Sequence, residues 1–290
     1  MNKSFVTLLI LIIASQLISG CSFAKLTVRA SMPMIEGGIT AINQETDLLL
    51  AESAMPPNIE LMEGMLINDP RNVPLRLYAA QAYYGYVYGF IEDSDRQRAS
   101  KLYFRGFRHG ARALGEFGIS TQHLNGTLES LQRSINHLDD DAIAALFWTA
   151  SCLAKWIDMN RDKAESLAQM PKAVMLMQKV IELDETFFMG GANLFFAVYY
   201  GSKPPMLGGN YEKSSHYFSK ARSINKDKLL LVDLLQAQYL DRQKLDADSF
   251  RTRLGKIINA PDNIYPEQSL ITMIAKHKAA LFLTMEEQWF

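Results

Sequence analysis

Residues 77–91 read LYAAQAYYGYVYGFI. The apolar side chains of this segment recur every three or four positions, at Leu77, Ala80, Tyr84, Tyr88 and Ile91. This spacing matches one face of an α-helix, which turns once every 3.6 residues. The segment therefore predicts a helix that packs along its length against a partner.

The chain supplies a partner helix directly afterwards. Glu92 to Asp95 is polar and turns the chain, and the next helical stripe contains small and aromatic residues: Ala99, Tyr103, Gly106, Gly110, Ala113 and Phe117. Small side chains in such a stripe allow two helix backbones to approach closely. The most apolar segment follows at residues 142–157 and carries Trp148 and Trp156, and we expect Trp148 to be buried.

Further helices are predicted on both sides of this centre. Thr40 to Leu66 is predicted as two helices divided by Pro56 and Pro57, because proline is excluded from helix interiors. The remaining predicted helices cover residues 121–137, 161–168, 172–183, 187–200, 210–224, 227–241, 245–258 and 267–287. No segment shows the alternation of a strand.

Short connections between these helices predict an all-α fold, an array of antiparallel helical hairpins. Ser214, Phe218 and Ala221 loosely match the Ala-x3-Phe-x2-Ala pattern of tetratricopeptide repeats, and weaker matches begin at Ala173 and Ala99. The array is therefore predicted to be tetratricopeptide-like, with an irregular period.

The N-terminus predicts export and lipidation. Lys3 precedes a mostly apolar run over residues 5–18, which leads into Leu17-Ile18-Ser19-Gly20-Cys21. This stretch is too short for a permanent membrane span and resembles a secretory signal ending in a bacterial lipobox. We therefore expect a signal peptide over residues 1–20, an acylated Cys21 within a tether over residues 21–35, and a helical domain over residues 36–290. A chance cysteine after an ordinary signal peptide, or a signal anchor, is the alternative.

The residue after Cys21 and the charge composition indicate where the protein lies and which partners to expect. Ser22 after the cysteine favours the outer membrane over the inner one, with the domain on the periplasmic side. The chain has 30 Lys and Arg residues against 31 Asp and Glu residues, a net charge of −1. This balance gives no electrostatic reason to expect nucleic acid. No other apolar run is expected to span a bilayer.

Catalytic and metal-binding motifs are absent from the sequence. It contains no HExxH, GxSxG, CxxC or glycine-rich phosphate loop. Cys152 is interpreted as a buried apolar residue, because no histidine lies near it in sequence. His137 beside Asp139, Asp140 and Asp141 is interpreted as a surface histidine next to a helix cap. The sequence thus predicts no catalytic residue, no metal and no cofactor.

The aromatic residues are the most informative candidates for binding. Tyr83, Tyr84, Tyr86, Tyr88 and Phe90 crowd one predicted helix on more than one side, and a second crowded helix runs from Phe187 to Tyr200. Such helices lie at the centre of a layered core or also line an apolar groove. In the second case the groove is bordered by the loop at residues 203–210. The predicted ligand-binding residues are Tyr84, Tyr88, Trp148, Phe195, Tyr199, Met206 and Leu207.

Several segments, in a shared order, resemble the T-component lipoproteins of TRAP (tripartite ATP-independent periplasmic) transporters. They include residues 45–56, 61–70, 77–86, 99–114, 145–157 and 207–221. The resemblance implies a helical fold with cryptic tetratricopeptide-like hairpins. It also implies a periplasmic lipoprotein that works beside a TRAP substrate-binding protein, with a small hydrophobic or acidic ligand.

Two functions from different classes follow. The first is a membrane-anchored binding protein that docks a TRAP substrate-binding protein, accepts its ligand, or does both. One version of this hypothesis has the chain form a homo-oligomer. The second is a tetratricopeptide-like scaffold lipoprotein for outer-membrane assembly. Enzymatic activity, such as cell-wall or lipid hydrolysis, is disfavoured because no signature supports it.

Overall fold

The computed structural model describes residues 23–290, and within that range every regular element is helical. The predicted all-α array is confirmed, whereas the predicted signal peptide and Cys21 lie outside the described residues. After a helical stretch over residues 23–30, the α-helices are α1 (Met32–Asn43), α2 (Leu48–Asn68), α3 (Val73–Tyr86), α4 (Arg96–Glu116), α5 (Thr121–Asn125), α6 (Leu128–Ile135), α7 (Ile143–Met159), α8 (Ala164–Leu167), α9 (Met170–Asp184), α10 (Phe187–Gly201), α11 (Tyr211–Asn225), α12 (Leu231–Gln236), α13 (Ala247–Asn259), α14 (Ser269–Thr284) and α15 (Glu286–Trp289).

Side-chain caps set where many of these helices begin. The Asp47 carboxylate accepts the Leu49 amide at 2.9 Å, and the Asn72 side chain accepts the Leu75 amide at 3.0 Å. Asp95, Asn210 and Asp246 cap α4, α11 and α13 in the same way. Because the first amides of a helix have no partner within it, each cap satisfies a donor that would otherwise need water.

The array is built from neighbours in sequence order. α3 packs on α4, α4 on α7, α7 on α9, α10 on α11 and α13 on α14. The last long helix, α14, then returns to contact α1 and α2. The two ends of the array therefore meet.

Helix α2 corrects the predicted division at Pro56 and Pro57, because it runs unbroken through both prolines. Its buried residues continue at helical spacing on either side of them: Ala51, Met55, Ile59, Met62 and Leu66. The carbonyls of Glu52 and Ser53, which lose their helical donors to the prolines, belong to exposed residues. Water can therefore replace the missing hydrogen bonds while packing holds the buried face.

Helices α4 and α7 approach each other closely at two glycines. A Cβ atom added at Gly106 would lie 2.9 Å from the Cys152 sulfur, and one added at Gly110 would lie 2.9 Å from the Thr149 backbone nitrogen. This confirms the close approach predicted from the small residues. Cys152 and Trp148 are both buried, also as predicted.

Helix α10 departs from its predicted regular course. Phe188, Met189 and Gly190 all have positive φ angles, and α-helical geometry resumes only after them. The left-handed turn places the Phe188 ring 4.9 Å from the Trp148 ring. Aromatic packing and the conformational freedom of Gly190 therefore favour a turn that two non-glycine residues rarely adopt.

Residues 23–35, predicted as a tether, are helical over most of their length, and Val28 is buried. Among residues 23–290, Asp140–Met159 is long and apolar enough to cross a membrane, contrary to the prediction that no such run exists. However, 61% of an 18-residue window within that stretch is buried inside the fold, as in a core helix.

Gly110→Ala tests the α4–α7 contact. We expect a loss of about 1–3 kcal/mol in the free energy of unfolding, because the new methyl group meets backbone that cannot move aside. Gly115→Ala on the same helix, where a Cβ meets nothing within 4 Å, is the matched control and should stabilise slightly. Urea denaturation measures both variants, and equal effects would contradict the packing described.

Candidate ligand-binding cavity

A cavity of about 1500 Å³ lies between the helices, and its wall is mostly apolar. It is bounded by residues 23–43, by the face of α2 that carries Met62 and Met65, and by parts of α3, α7, α10 and α14. Pockets for drug-sized ligands usually measure about 300–1,000 Å³. This volume is therefore ample for an extended or branched apolar molecule.

Aromatic side chains form one wall. Tyr84 of α3 meets Trp148 of α7 edge-on, with ring centroids 5.8 Å apart, and stacks near Tyr88 at 6.4 Å. The Phe188 ring lies against the other side of Trp148. These rings pack on each other and also face the cavity, so they belong at once to the core and to the wall.

A second part of the wall comes from the C-terminal half of α10 and the loop after it. Phe195 and Tyr199 stack with centroids 6.3 Å apart, one helical turn from each other. The Lys203 ammonium lies 4.0 Å from the centre of the Tyr199 ring. Pro204 and Leu207 continue this wall to the surface, where Leu207 is 68% exposed. Burial lowers the pKa of Lys203.

The structure brings six of the seven predicted binding residues to this one cavity: Tyr84, Tyr88, Trp148, Phe195, Tyr199 and Leu207. Met206 does not line it, and its side chain is 88% exposed. The short 3₁₀ segment Pro205–Leu207 directs the two neighbours differently. That these residues bind a ligand stays a prediction.

Charged groups gather at one end of the cavity, around Lys155. Its ammonium lies 2.6 Å from Glu92 Oε2 and 3.6 Å from Asp158 Oδ2. Glu92 also contacts Lys278 of α14 at 3.3 Å. Burial acts to lower the pKa of Lys155, but the nearby negative charge of Glu92 and Asp158 outweighs it, so this pKa is raised. Lys155 therefore stays charged and paired.

Two π-helical turns place tyrosines beside this charged group. Val87–Ile91 extends α3 and carries Tyr88, and Ala237–Asp241 extends α12 and carries Tyr239. Both tyrosines line the cavity, and burial raises the pKa of each. Within residues 23–290 the buried Tyr88 hydroxyl has no hydrogen-bond partner. Such an orphaned hydroxyl is costly to leave unpaired and is the polar atom of the wall most in need of one.

Several residues of the cavity wall were not predicted from the sequence. Lys155 could have been predicted, because a lysine inside the apolar segment at residues 142–157 requires a buried partner. Tyr239 could not have been predicted, since a π-turn changes the helical register and no sequence pattern indicates where it occurs. The residues 23–43 were missed because they were predicted largely as a tether. Within the described range, no group of histidine, cysteine and acidic residues is arranged to hold a metal ion.

A second, polar pocket of about 320 Å³ lies on the outer face between α2 and α4. It is lined by Glu60, Glu63, Arg105, Arg108, His109 and Arg112. Glu63 Oε1 is 3.0 Å from His109 Nε2 and accepts the Tyr83 hydroxyl at 2.9 Å. The hydrogen bond to His109 lowers the pKa of Glu63 to about 2, although partial burial acts in the opposite direction.

Comparison with known protein families identifies the family of this chain. Residues 44–290 match the model of the TRAP transporter T-component family. The chain belongs to that family, which is a transport component and not a class of enzyme. No curated protein matches the chain significantly. The resemblance predicted from the sequence is thus confirmed, and an involvement in TRAP transport follows from the family.

Glu63→Gln tests the pH dependence at the polar pocket. A carboxyl group whose pKa is depressed in the folded state stabilises the fold fully above its unfolded pKa, near 4.5, and loses that contribution as pH falls towards 2. We therefore expect the variant to be less stable than wild type near neutral pH, with the difference shrinking below pH 4.5. Urea denaturation over this range measures it. A difference independent of pH would contradict the assignment, and Glu60→Gln on the same exposed helix face is the control.

Proposed function

We propose that this T-component binds a small hydrophobic or acidic solute in the cavity and docks a TRAP periplasmic substrate-binding protein, assisting solute uptake. The observation that carries the proposal is the large, mostly apolar cavity at the centre of the fold. Protein interiors are normally packed as densely as organic crystals. Large apolar surfaces that a fold leaves uncovered commonly mark ligand-binding sites, so an occupant best explains this cavity.

The chemistry of the wall favours an amphipathic occupant. The aromatic rings supply apolar contact, whereas Lys203 at the mouth carries no carboxylate partner within 4.0 Å among residues 23–290. An acidic group on the ligand would form an ion pair with the Lys203 ammonium group. The apolar part of the ligand would then lie against Phe195 and Tyr199. Since Lys155 and Arg161 are already paired with carboxylates, Lys203 is the cation best suited to an anion.

Cys21 provides the location in this proposal. An acylated Cys21 would hold the domain on the periplasmic side of a bacterial membrane, with Ser22 favouring the outer membrane. Stable anchoring needs more than one acyl chain, which a lipoprotein cysteine carries. The cavity and its partner would then work in the same compartment.

A face for the substrate-binding protein is offered by α4. Five exposed basic residues follow one side of it at intervals of three or four: Arg98, Lys101, Arg105, Arg108 and Arg112. Their spacing places them on a single stripe that spans about 21 Å of helix. A partner with an acidic surface would be steered to this stripe, and its binding would weaken as salt rises.

Leu207→Ser tests the ligand part of the proposal, with the fluorescent amphiphile anilinonaphthalene sulfonate as probe. We expect affinity to fall roughly fivefold, the equivalent of about 1 kcal/mol of lost apolar contact. Met206→Ser is the matched control, because the neighbouring Met206 is also exposed but lies outside the cavity wall. Fluorescence titration measures both variants, and thermal melts should show both as stable as wild type.

The competing scaffold function makes the opposite forecast. A scaffold for outer-membrane assembly does not need an occupied cavity, so probe binding would be absent or equal in both variants. That result would remove the ligand part of the proposal.

A further inference from the structure

Residues 23–43 form a cover over the cavity. They comprise the helical residues 23–30 and α1, and their inward positions recur at helical spacing, as in Thr27, Ser31, Ile35, Gly38 and Ile42. No residue of α1 is buried. Its contacts are made with α14 and with the 3₁₀ segment Pro266–Gln268. One face of the cover therefore lines the cavity, while Val28 is buried in the adjacent core cluster and Met32, Ile35 and Ile42 pack against that cluster. The cover also precedes the residues matched by the family.

Few polar contacts hold the cover in place. Within residues 23–290 two side-chain hydrogen bonds join it to the rest of the fold: Arg29 Nε to Asp69 Oδ2 at 3.0 Å, and Tyr78 hydroxyl to Glu36 Oε1 at 3.3 Å. Tyr78 is half-buried and Glu36 is exposed, so their hydrogen bond contributes little to stability. Arg29 is exposed but Asp69 is fully buried, so this ion pair keeps a buried carboxylate from being left without a partner. These two polar contacts and the apolar packing of Val28, Met32 and Ile35 therefore hold the cover.

The rim beside the cover is exposed and apolar. Phe23 is 71% exposed, Met34 79% and Leu61 53%, and all three also line the cavity. The cavity wall therefore reaches the surface between the cover and α2, in addition to the mouth at Lys203 and Leu207. Phe23 lies two residues after Cys21 in the sequence.

We propose that the occupant of the cavity is the acyl part of a membrane lipid, which enters from the bilayer beneath the cover. This rests on the proposed function, in which the cavity binds a ligand and Cys21 carries the anchor. The anchor would bring Phe23 and the rim to the lipid surface. There the exposed apolar side chains find an apolar environment, and a lipid chain passes from bilayer to cavity without crossing water.

The cavity fits this class of ligand better than a compact solute. Its volume exceeds the usual range for small-molecule pockets, and the cover, Met62 and Met65 give it adaptable apolar walls. The unpaired Tyr88 hydroxyl and Lys203 are available to the polar part of the lipid.

The test uses the full acylated chain in vesicles of phosphatidylethanolamine and phosphatidylglycerol. A trace of phosphatidylethanolamine carries a photoreactive diazirine near the end of one acyl chain, and mass spectrometry maps the adducts after irradiation. We expect adducts on interior wall residues, Tyr84, Trp148 and Tyr239, in addition to the rim.

Gly38→Trp is the diagnostic variant, because Gly38 lines the cavity and a Cβ there meets nothing within 4 Å. Filling the space should reduce interior adducts roughly tenfold. This is the loss of affinity expected when two methylene groups of the lipid can no longer be buried in the cavity. Gly37→Trp is the matched control on the same helix, with equal free space but outside the cavity wall. It should leave interior labelling unchanged.

A second pair of variants leaves the cavity volume intact. Phe23→Ser should slow interior labelling, because it removes an exposed apolar contact at the rim, whereas Leu245→Ser, an equally exposed leucine elsewhere, should not. If Gly38→Trp or Phe23→Ser labels like wild type, entry beneath the cover is wrong.

The soluble probe separates this inference from the proposed function. If anilinonaphthalene sulfonate binds the vesicle-bound protein but lipid adducts stop at the rim, the lipid inference fails and the ligand site stands. If neither probe reaches the interior residues, both fail.

Discussion

The buried ion pairs around Glu92 join the last long helix, α14, to α3 and α7. Glu92 follows the π-turn that ends α3, and its two carboxylate oxygens contact Lys155 of α7 and Lys278 of α14. The Tyr103 hydroxyl donates to the same carboxylate at 2.6 Å, and Lys278 also pairs with Asp93. Because a charge removed from water is tolerated only when it is paired, these contacts fix α14 against the N-terminal half of the chain.

This closure explains how the fold can keep an unfilled interior. At one side of the cavity α4 and α7 meet backbone to backbone through Gly106 and Gly110. The Glu92 cluster joins the array at the charged end, so neither contact depends on filling the space between. The aromatic rings that remain on the inner faces then serve as packing for their neighbours and as a surface for a ligand.

The sequence predicted the helices because their apolar stripes are long and regular, as in residues 77–91. It also predicted that Tyr84 and Phe195 line one cavity, since both lie on helices too crowded for a single partner. It could not predict the path of α2 through Pro56 and Pro57, because that depends on which carbonyls face solvent. The π-turn at Tyr239, the left-handed turn at Phe188 and the cover over the cavity depend on tertiary contacts that no local pattern records.

Hydrogen–deuterium exchange on Glu92→Gln tests the central claim most directly, which is that this cluster closes the array around the cavity. The variant removes the negative charge that Lys155 and Lys278 both contact. We therefore predict faster amide exchange in α14 and in the part of α7 near Lys155. Glu116→Gln, which breaks the surface pair with Arg71, is the matched control and should leave both helices protected. Exchange in α14 of Glu92→Gln equal to that of wild type would contradict the account.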